Sequence, residues 1–279
     1  MGDLLDHRLG ELLGRPVSLL GLGYPLLAGL GLATFVLLVL RSDAGGRPRL
    51  DRRESLALLV ALPGALFGAI ALVALKDWLL GWQGVPTRAG GVAFQGAQLA
   101  GLGVAGAMAV VLRRRPWNLL DRMALFAPLG HALGRLGCFH AGCCHGAPTE
   151  LPWGLRHPVG SLTHEQQVTA GVLAADALGS LPVHPVQLIE CLGLLVLFVG
   201  LWRLSPAWRE RPGWLLGAYL IAYAALRLGL EPLRGDDLVR GVLGWWSPGR
   251  VASLVGLVLG LALMRLSRGS VGRPSRSSA

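Results

Sequence analysis

Between Gly134 and Pro148 the chain reads Gly-Arg-Leu-Gly-Cys-Phe-His-Ala-Gly-Cys-Cys-His-Gly-Ala-Pro, placing Arg135, Cys138, His140, Cys143, Cys144 and His145 at the end of a hydrophobic segment. Ionisable groups at membrane depth cost roughly 2.5–3.5 kcal/mol per charge on insertion scales. A chain that keeps such a cluster there uses it. Gly134, Gly137, Gly142 and Gly146 permit tight turns and leave backbone N–H groups open to an anion. Arg135 adds a planar guanidinium fork that suits a phosphate. The competing reading is an arginine snorkelling from a helix end. The thiols have four possible fates: a metal site, a disulfide, a redox pair, or packing. Zinc usually takes a second ligand pair, and here only His131, His140, His157 and His164 are scattered nearby in sequence.

Three further constellations carry polar chemistry. Tyr223, Arg227 and Glu231 follow at i, i+4 and i+8, with Arg234 and Asp237 beyond. That spacing lines one helix face, and Arg227 must find a partner inside an apolar run, with Glu231 nearest. A structural ion pair and a lipid-phosphate site both fit. Gln95 and Gln98 lie in a Gly/Ala-rich stretch and offer uncharged donors and acceptors to a headgroup or to another helix. His184, Gln187 and Glu190 sit where an apolar segment begins, and His184 and Glu190 are expected to face one cavity, with helix capping as the alternative. Cys191, alone on that segment, reads as core.

The elements that must position these groups are membrane helices. The chain has 279 residues, of which 53% are hydrophobic and only 15% charged. A soluble domain carries about 25% charged residues. Seven apolar segments have spanning length, at 17–40, 55–75, 90–112, 118–139, 184–204, 213–232 and 248–266. The third is rich in small residues and is expected to be a central, tightly packed helix. Pro63 and Pro128 are expected to kink the second and fourth. The net charge of +10 comes almost wholly from arginine, Lys76 being the one lysine. Those arginines sit in short loops between apolar segments, which excludes nucleic acid as their reason. Arg41 to Arg53, Arg113 to Arg115, Arg203 to Arg211 and the tail from Arg265 alternate with poorer loops, so they mark the cytoplasmic side. The N-terminus is then outside and the C-terminus inside. Residues 1–16 lack a basic leader, so the first span directs insertion. The motif around Arg135 falls at the outer face, below a polar loop over residues 146–182. The expected domain is 1–268, followed by a disordered cytoplasmic tail, 269–279.

These motifs together resemble those of the prolipoprotein diacylglyceryl transferases. The likeness runs from Tyr24 to Arg250. It rests on Gly134-Arg135-Leu136-Gly137-x-Phe139 with Gly142 and Gly146, on His184-Pro185-x-Gln187-Leu188-x-Glu190, and on the Tyr223 to Asp237 pattern. The resemblance implies an all-α bundle of seven transmembrane helices with a small outer cap, in a bacterial inner membrane. It implies transfer of a diacylglyceryl group from phosphatidylglycerol to the lipobox cysteine of a prolipoprotein signal peptide, giving a thioether and glycerol 1-phosphate. Three positions depart from the family pattern. The family's helix-3 histidine motif reads Gln95-Gly96-Ala97-Gln98, its asparagine after Arg-x-Gly is Cys138, and its signature glutamate is Cys143.

On this reading Arg135 and Arg227 hold the phosphate and stabilise the leaving group, and His140 or His145 takes the thiol proton. Tyr24, Gln95, Gln98, Gly137, Gly142, Gly146, His184, Gln187, Glu190, Tyr223, Glu231 and Arg234 surround the substrate. No cofactor and no metal is expected. A disulfide from Cys138 to Cys143 or Cys144 is expected in an oxidising outer compartment. The other readings are a relative with thiol- or metal-based redox function at Cys138, Cys143 and Cys144, and a non-catalytic lipid-binding protein.

Overall fold

Local signals in the chain set where several of the helices start and stop. A computed structural model describes residues 19–41, 49–82, 94–206, 211–235 and 246–269. The helices are α1 (Leu19–Arg41), α2 (Arg52–Trp82), α3 (Phe94–Val111), α4 (Trp117–Ala141), α5 (Leu162–Thr169), α6 (Val186–Leu204), α7 (Trp214–Leu230) and α8 (Pro248–Gly269). A short 3-10 helix, Glu231–Leu233, follows α7. Each of the seven expected segments coincides with one long helix. The start of α2 is earlier than the apolar run because Asp51 and Glu54 form a capping box. The Glu54 N–H donates to Asp51 Oδ1 at 2.8 Å and the Asp51 N–H to Glu54 Oε2 at 3.0 Å. The structure thus adds charged Arg52 and Arg53 to a helix that hydropathy alone begins at Ser55.

Six of these helices are long and apolar enough to cross a membrane. The 25-residue α4 is not among them, since it carries Asp121, Arg122, His131 and Arg135, all four of them buried. Its polar side chains turn into protein instead of lipid, as intramembrane charges do. Pro63 and Pro128 lie inside continuous helices, as does Pro25.

The described chain divides into two units. One comprises residues 19–34, 129–195 and 232–235, the other 35–41, 49–82, 94–128, 196–206, 211–231 and 246–269. In the second unit α2 and α3 meet along small residues. A Cβ on Gly96 would strike the Gly68 carbonyl, and one on Gly101 would stand 3.1 Å from Ala65 Cβ. This is the close packing expected of the Gly/Ala-rich segment, and it needs glycine because backbone meets backbone. Asp121, fully buried, accepts from the Gly213 and Leu216 N–H groups at 2.9 Å each and so caps the start of α7 from another helix. Nothing in the sequence marks that pairing, because the residues stand about ninety positions apart.

In the first unit the stretch 146–182 is structured. Isolated bridges pair Gly146 with Arg234, and Pro148 and Leu155 with Val183. Ser161 caps α5, its hydroxyl accepting from the His164 N–H at 3.3 Å.

Candidate functional site

The first unit assembles most of the Gly134–Pro148 chemistry at the C-terminal end of α4. That helix ends in a Schellman motif. The Cys143 N–H donates to the Cys138 carbonyl at 3.0 Å and the Gly142 N–H to the Phe139 carbonyl at 3.1 Å, with Gly142 at φ +65°. The cap therefore folds Cys143 back over Cys138. Cys144 follows at φ +57°, a conformation that L-residues other than Gly, Asn and Asp seldom adopt. Two neighbours hold the turn's carbonyls. The Thr163 hydroxyl donates to Gly142 O at 2.6 Å and Gln187 Nε2 donates to Cys143 O at 2.9 Å.

Arg135 lies one turn before Cys138 and is 6% exposed. Its Nη2 meets Glu190 Oε1 at 3.0 Å, and His131 Nε2 stands 3.9 Å from the same oxygen. Gln187 and Glu190 sit three apart on the first turn of α6, so one helix face holds both the cysteine turn and the arginine. Two sequence motifs that looked separate are thus one interlocked piece. His184 and Glu190 have different partners. The Trp153 indole N–H donates to His184 Nδ1 at 3.1 Å, while Glu190 takes Arg135. The His184 backbone also pairs with Gly146 and Ala147. A Cβ on Gly146 would strike the His184 carbonyl, which explains glycine there. Arg234, buried, is tied to this turn through the Ala147 N–H donating to Leu233 O at 2.8 Å.

The two base candidates differ in freedom. His145 is buried, with Nδ1 2.9 Å from Gly146 O and Nε2 2.9 Å from Gln166 Oε1. Both ring nitrogens are engaged. His140 is exposed, with its ring packed against Gly23 of α1. Tyr24, the next residue, is half-exposed and approaches Gly137, whose added Cβ would lie 3.3 Å from the Tyr24 ring.

All four cysteines are free thiols, and the sulfurs of Cys138, Cys143 and Cys144 lie within 4.8 Å of one another. Hydrogen bonds from Cys138 and Cys143, followed by the positive charges of Arg234 and Arg135, hold the Cys144 thiol well below its ordinary range. The hydrogen bond with Cys138 pushes Cys143 upward. Cys191 is buried on α6.

The second unit carries the other arginine. Arg227 Nη2 meets Glu231 Oε1 at 2.8 Å, the i, i+4 partner expected from spacing. The Ser247 hydroxyl donates to Glu231 Oε2 at 2.8 Å, and Arg250 Nε stands 3.9 Å from that oxygen. Gly249 lets the start of α8 approach, since a Cβ there would stand 2.7 Å from Glu231 Oε1. Ser247 and Arg250 escape sequence reasoning, although both flank the helix start at Pro248. Tyr223 stacks on Tyr219 with centroids 6.0 Å apart and receives the edge of Phe94 at 6.0 Å. Gln95 and Gln98 are half-buried in the first turns of α3. Asp237 lies outside the described residues.

The sequence model of the prolipoprotein diacylglyceryl transferase family matches residues 17–266. The chain belongs to that family. It is 34% identical over 236 residues to the phosphatidylglycerol–prolipoprotein diacylglyceryl transferase of Nitratidesulfovibrio vulgaris, covering 80% of this chain and 81% of the relative. It is 29% identical over 255 residues to the enzyme of that name from Clostridium tetani, covering 88% and 93%. With the one from Thermosynechococcus vestitus it shares 37% over 174 residues, 61% and 59% of the two chains.

Proposed function

We propose that this chain moves a diacylglyceryl group from phosphatidylglycerol to the lipobox cysteine thiol of a prolipoprotein signal peptide. The observation that carries the reading is Arg135. It is a buried guanidinium, fixed by Glu190 near the C-terminal end of α4 beside a cluster of thiols. Membership of a family whose relatives bear that activity in their names supplies the donor and the acceptor.

The chemistry is a substitution at carbon. The acceptor thiol loses its proton, because the thiolate is the nucleophile. Its sulfur bonds to the terminal glyceryl carbon, the carbon–oxygen bond to phosphate breaks, and the electron pair stays on the departing glycerol 1-phosphate. Arg135 stabilises the charge that builds on that oxygen, and the family resemblance gives Arg227 a phosphate-handling role. Glu190 and Glu231 position them. His140 takes the proton, since both nitrogens of His145 are occupied. Tyr223, Arg234, Gln95, Gln98 and Tyr24 belong to the substrate surroundings.

The same reading makes residues 1–268 one transferase domain in a bacterial inner membrane, with the N-terminus outside and the C-terminus cytoplasmic. A reporter fused after Ala279 is expected to be active only in the cytoplasm, and activity confined to the other side overturns this orientation.

The test is rescue of a strain depleted of its own transferase, paired with turnover of labelled phosphatidylglycerol. Arg135→Ala and Arg227→Ala are each expected to lose at least about 100-fold in rate while still inserting in membrane. Lysine at either position also fails, because a point charge does not replace a planar fork. Near-normal turnover in both alanine variants refutes the assignment.

A further inference from the structure

The three thiols of the α4 cap are not explained by phosphate binding. A disulfide needs two sulfurs, and here three converge within 4.8 Å. The backbone is arranged for that convergence. The Schellman cap brings Cys143 onto Cys138, and the left-handed conformation of Cys144 turns a third side chain the same way, where successive residues of an extended chain would point apart. Strain of about 1–2 kcal/mol at a non-glycine residue persists only where the surroundings impose it. Gln187 and Thr163 impose it by fixing the neighbouring carbonyls.

The spacing suits a soft cation. Zinc–sulfur bonds of about 2.3 Å at tetrahedral angles put sulfurs about 3.8 Å apart, so closure from within 4.8 Å needs at most about 1 Å of contraction. Three thiolates on a divalent ion leave one net negative charge, and two buried cations flank the turn: Arg135 one helical turn before Cys138, and Arg234 next to Leu233, whose carbonyl accepts from the Ala147 N–H. Three protein ligands also leave a tetrahedral ion one position open, the pattern of catalytic zinc and not of structural zinc.

We propose that Cys138, Cys143 and Cys144 form a three-thiolate zinc site whose fourth position takes the acceptor cysteine's sulfur as a thiolate. The role of the fourth position rests on the proposed transfer; the metal site itself does not. A metal-bound thiol gives up its proton outright. That proton leaves to water or His140. The bound sulfur then forms the carbon–sulfur bond, the carbon–oxygen bond breaks, and the electron pair leaves with the phosphate. The product thioether is neutral and a weaker ligand, so the position reopens. The ion changes neither charge nor oxidation state.

The experiment uses the full chain purified in detergent. Metal analysis is expected to find about one zinc per chain, lost in Cys138→Ser, Cys143→Ser and Cys144→Ser and kept in Cys191→Ser. Wild-type protein stripped by a chelator and reloaded with cobalt provides an arm without substitutions. Thiolate-to-cobalt absorption should appear and rise by about a third when a lipobox cysteine peptide is added, as three thiolates become four. Three alkylatable thiols in metal-free protein as isolated, a disulfide among them, or zinc retained in the serine variants overturns the site. Transfer at an unchanged rate after zinc removal overturns the role of the metal and leaves the proposed function standing. Zinc and peptide binding with no transfer from phosphatidylglycerol overturns the proposed function and leaves the site standing.

Discussion

Removal of Glu190 tests the interlock of the two motifs most directly. Its carboxylate lies 3.0 Å from Arg135 Nη2, with the two side chains 1% and 8% exposed. At an effective dielectric constant of about 20, two unit charges at that separation attract by about 5.5 kcal/mol before desolvation is counted. Breaking such a pair from one side strands a buried charge and costs about 3–5 kcal/mol. Glu190→Leu is therefore expected to lose that much stability in reversible unfolding from mixed micelles. Glu190→Gln keeps an acceptor for the guanidinium and should lose about 1–2 kcal/mol. The double variant Arg135→Met, Glu190→Leu removes both charges, and apolar replacement of a whole buried pair is often close to neutral. It should be more stable than Glu190→Leu by at least about 2 kcal/mol, yet inactive. Stability of Glu190→Leu within about 1 kcal/mol of wild type, or a double variant as weak as the sum of the singles, refutes the pairing as the support of Arg135.

Two further outcomes follow from the same geometry. Gly146→Ala drives a Cβ into the His184 carbonyl, which is backbone and cannot swing aside. It should cost about 1–3 kcal/mol and lower transfer, read from unfolding midpoints and labelled-lipid turnover, and wild-type values for both would contradict the close approach. Burial and then the charge of His145 hold His157 below the ordinary imidazole range. The folded loop thus favours the neutral ring, and its stability is full above the unfolded value of about 6.5 and lost as pH falls through it toward the lower folded value. Hydrogen exchange at His157 and Ser180, which are bonded to each other at 2.8 and 2.9 Å, should quicken below that pH in wild type and not in His157→Phe; equal protection on both sides refutes it.

What the sequence determined by itself is what depends on near neighbours. Apolar run length located the seven long helices, six of which are apolar enough among the described residues to cross a membrane, because the cost of burying backbone and charge in lipid accrues residue by residue. The Arg227–Glu231 pair was legible because four residues make one helical turn. The resemblance pointed to Arg135, Gln187 and Glu190 without saying what each touches. Only the tertiary structure decided the partners. Arg135 meets Glu190 across 55 positions, Gln187 holds Cys143 across 44, and Asp121 caps α7 across 92 and 95. It also decided that His145 spends both nitrogens on neighbours, and that three cysteines share one point instead of two forming a pair along the chain. A buried polar group takes whichever partner packing brings within about 3 Å, and packing is a property of the whole chain that no local spacing encodes.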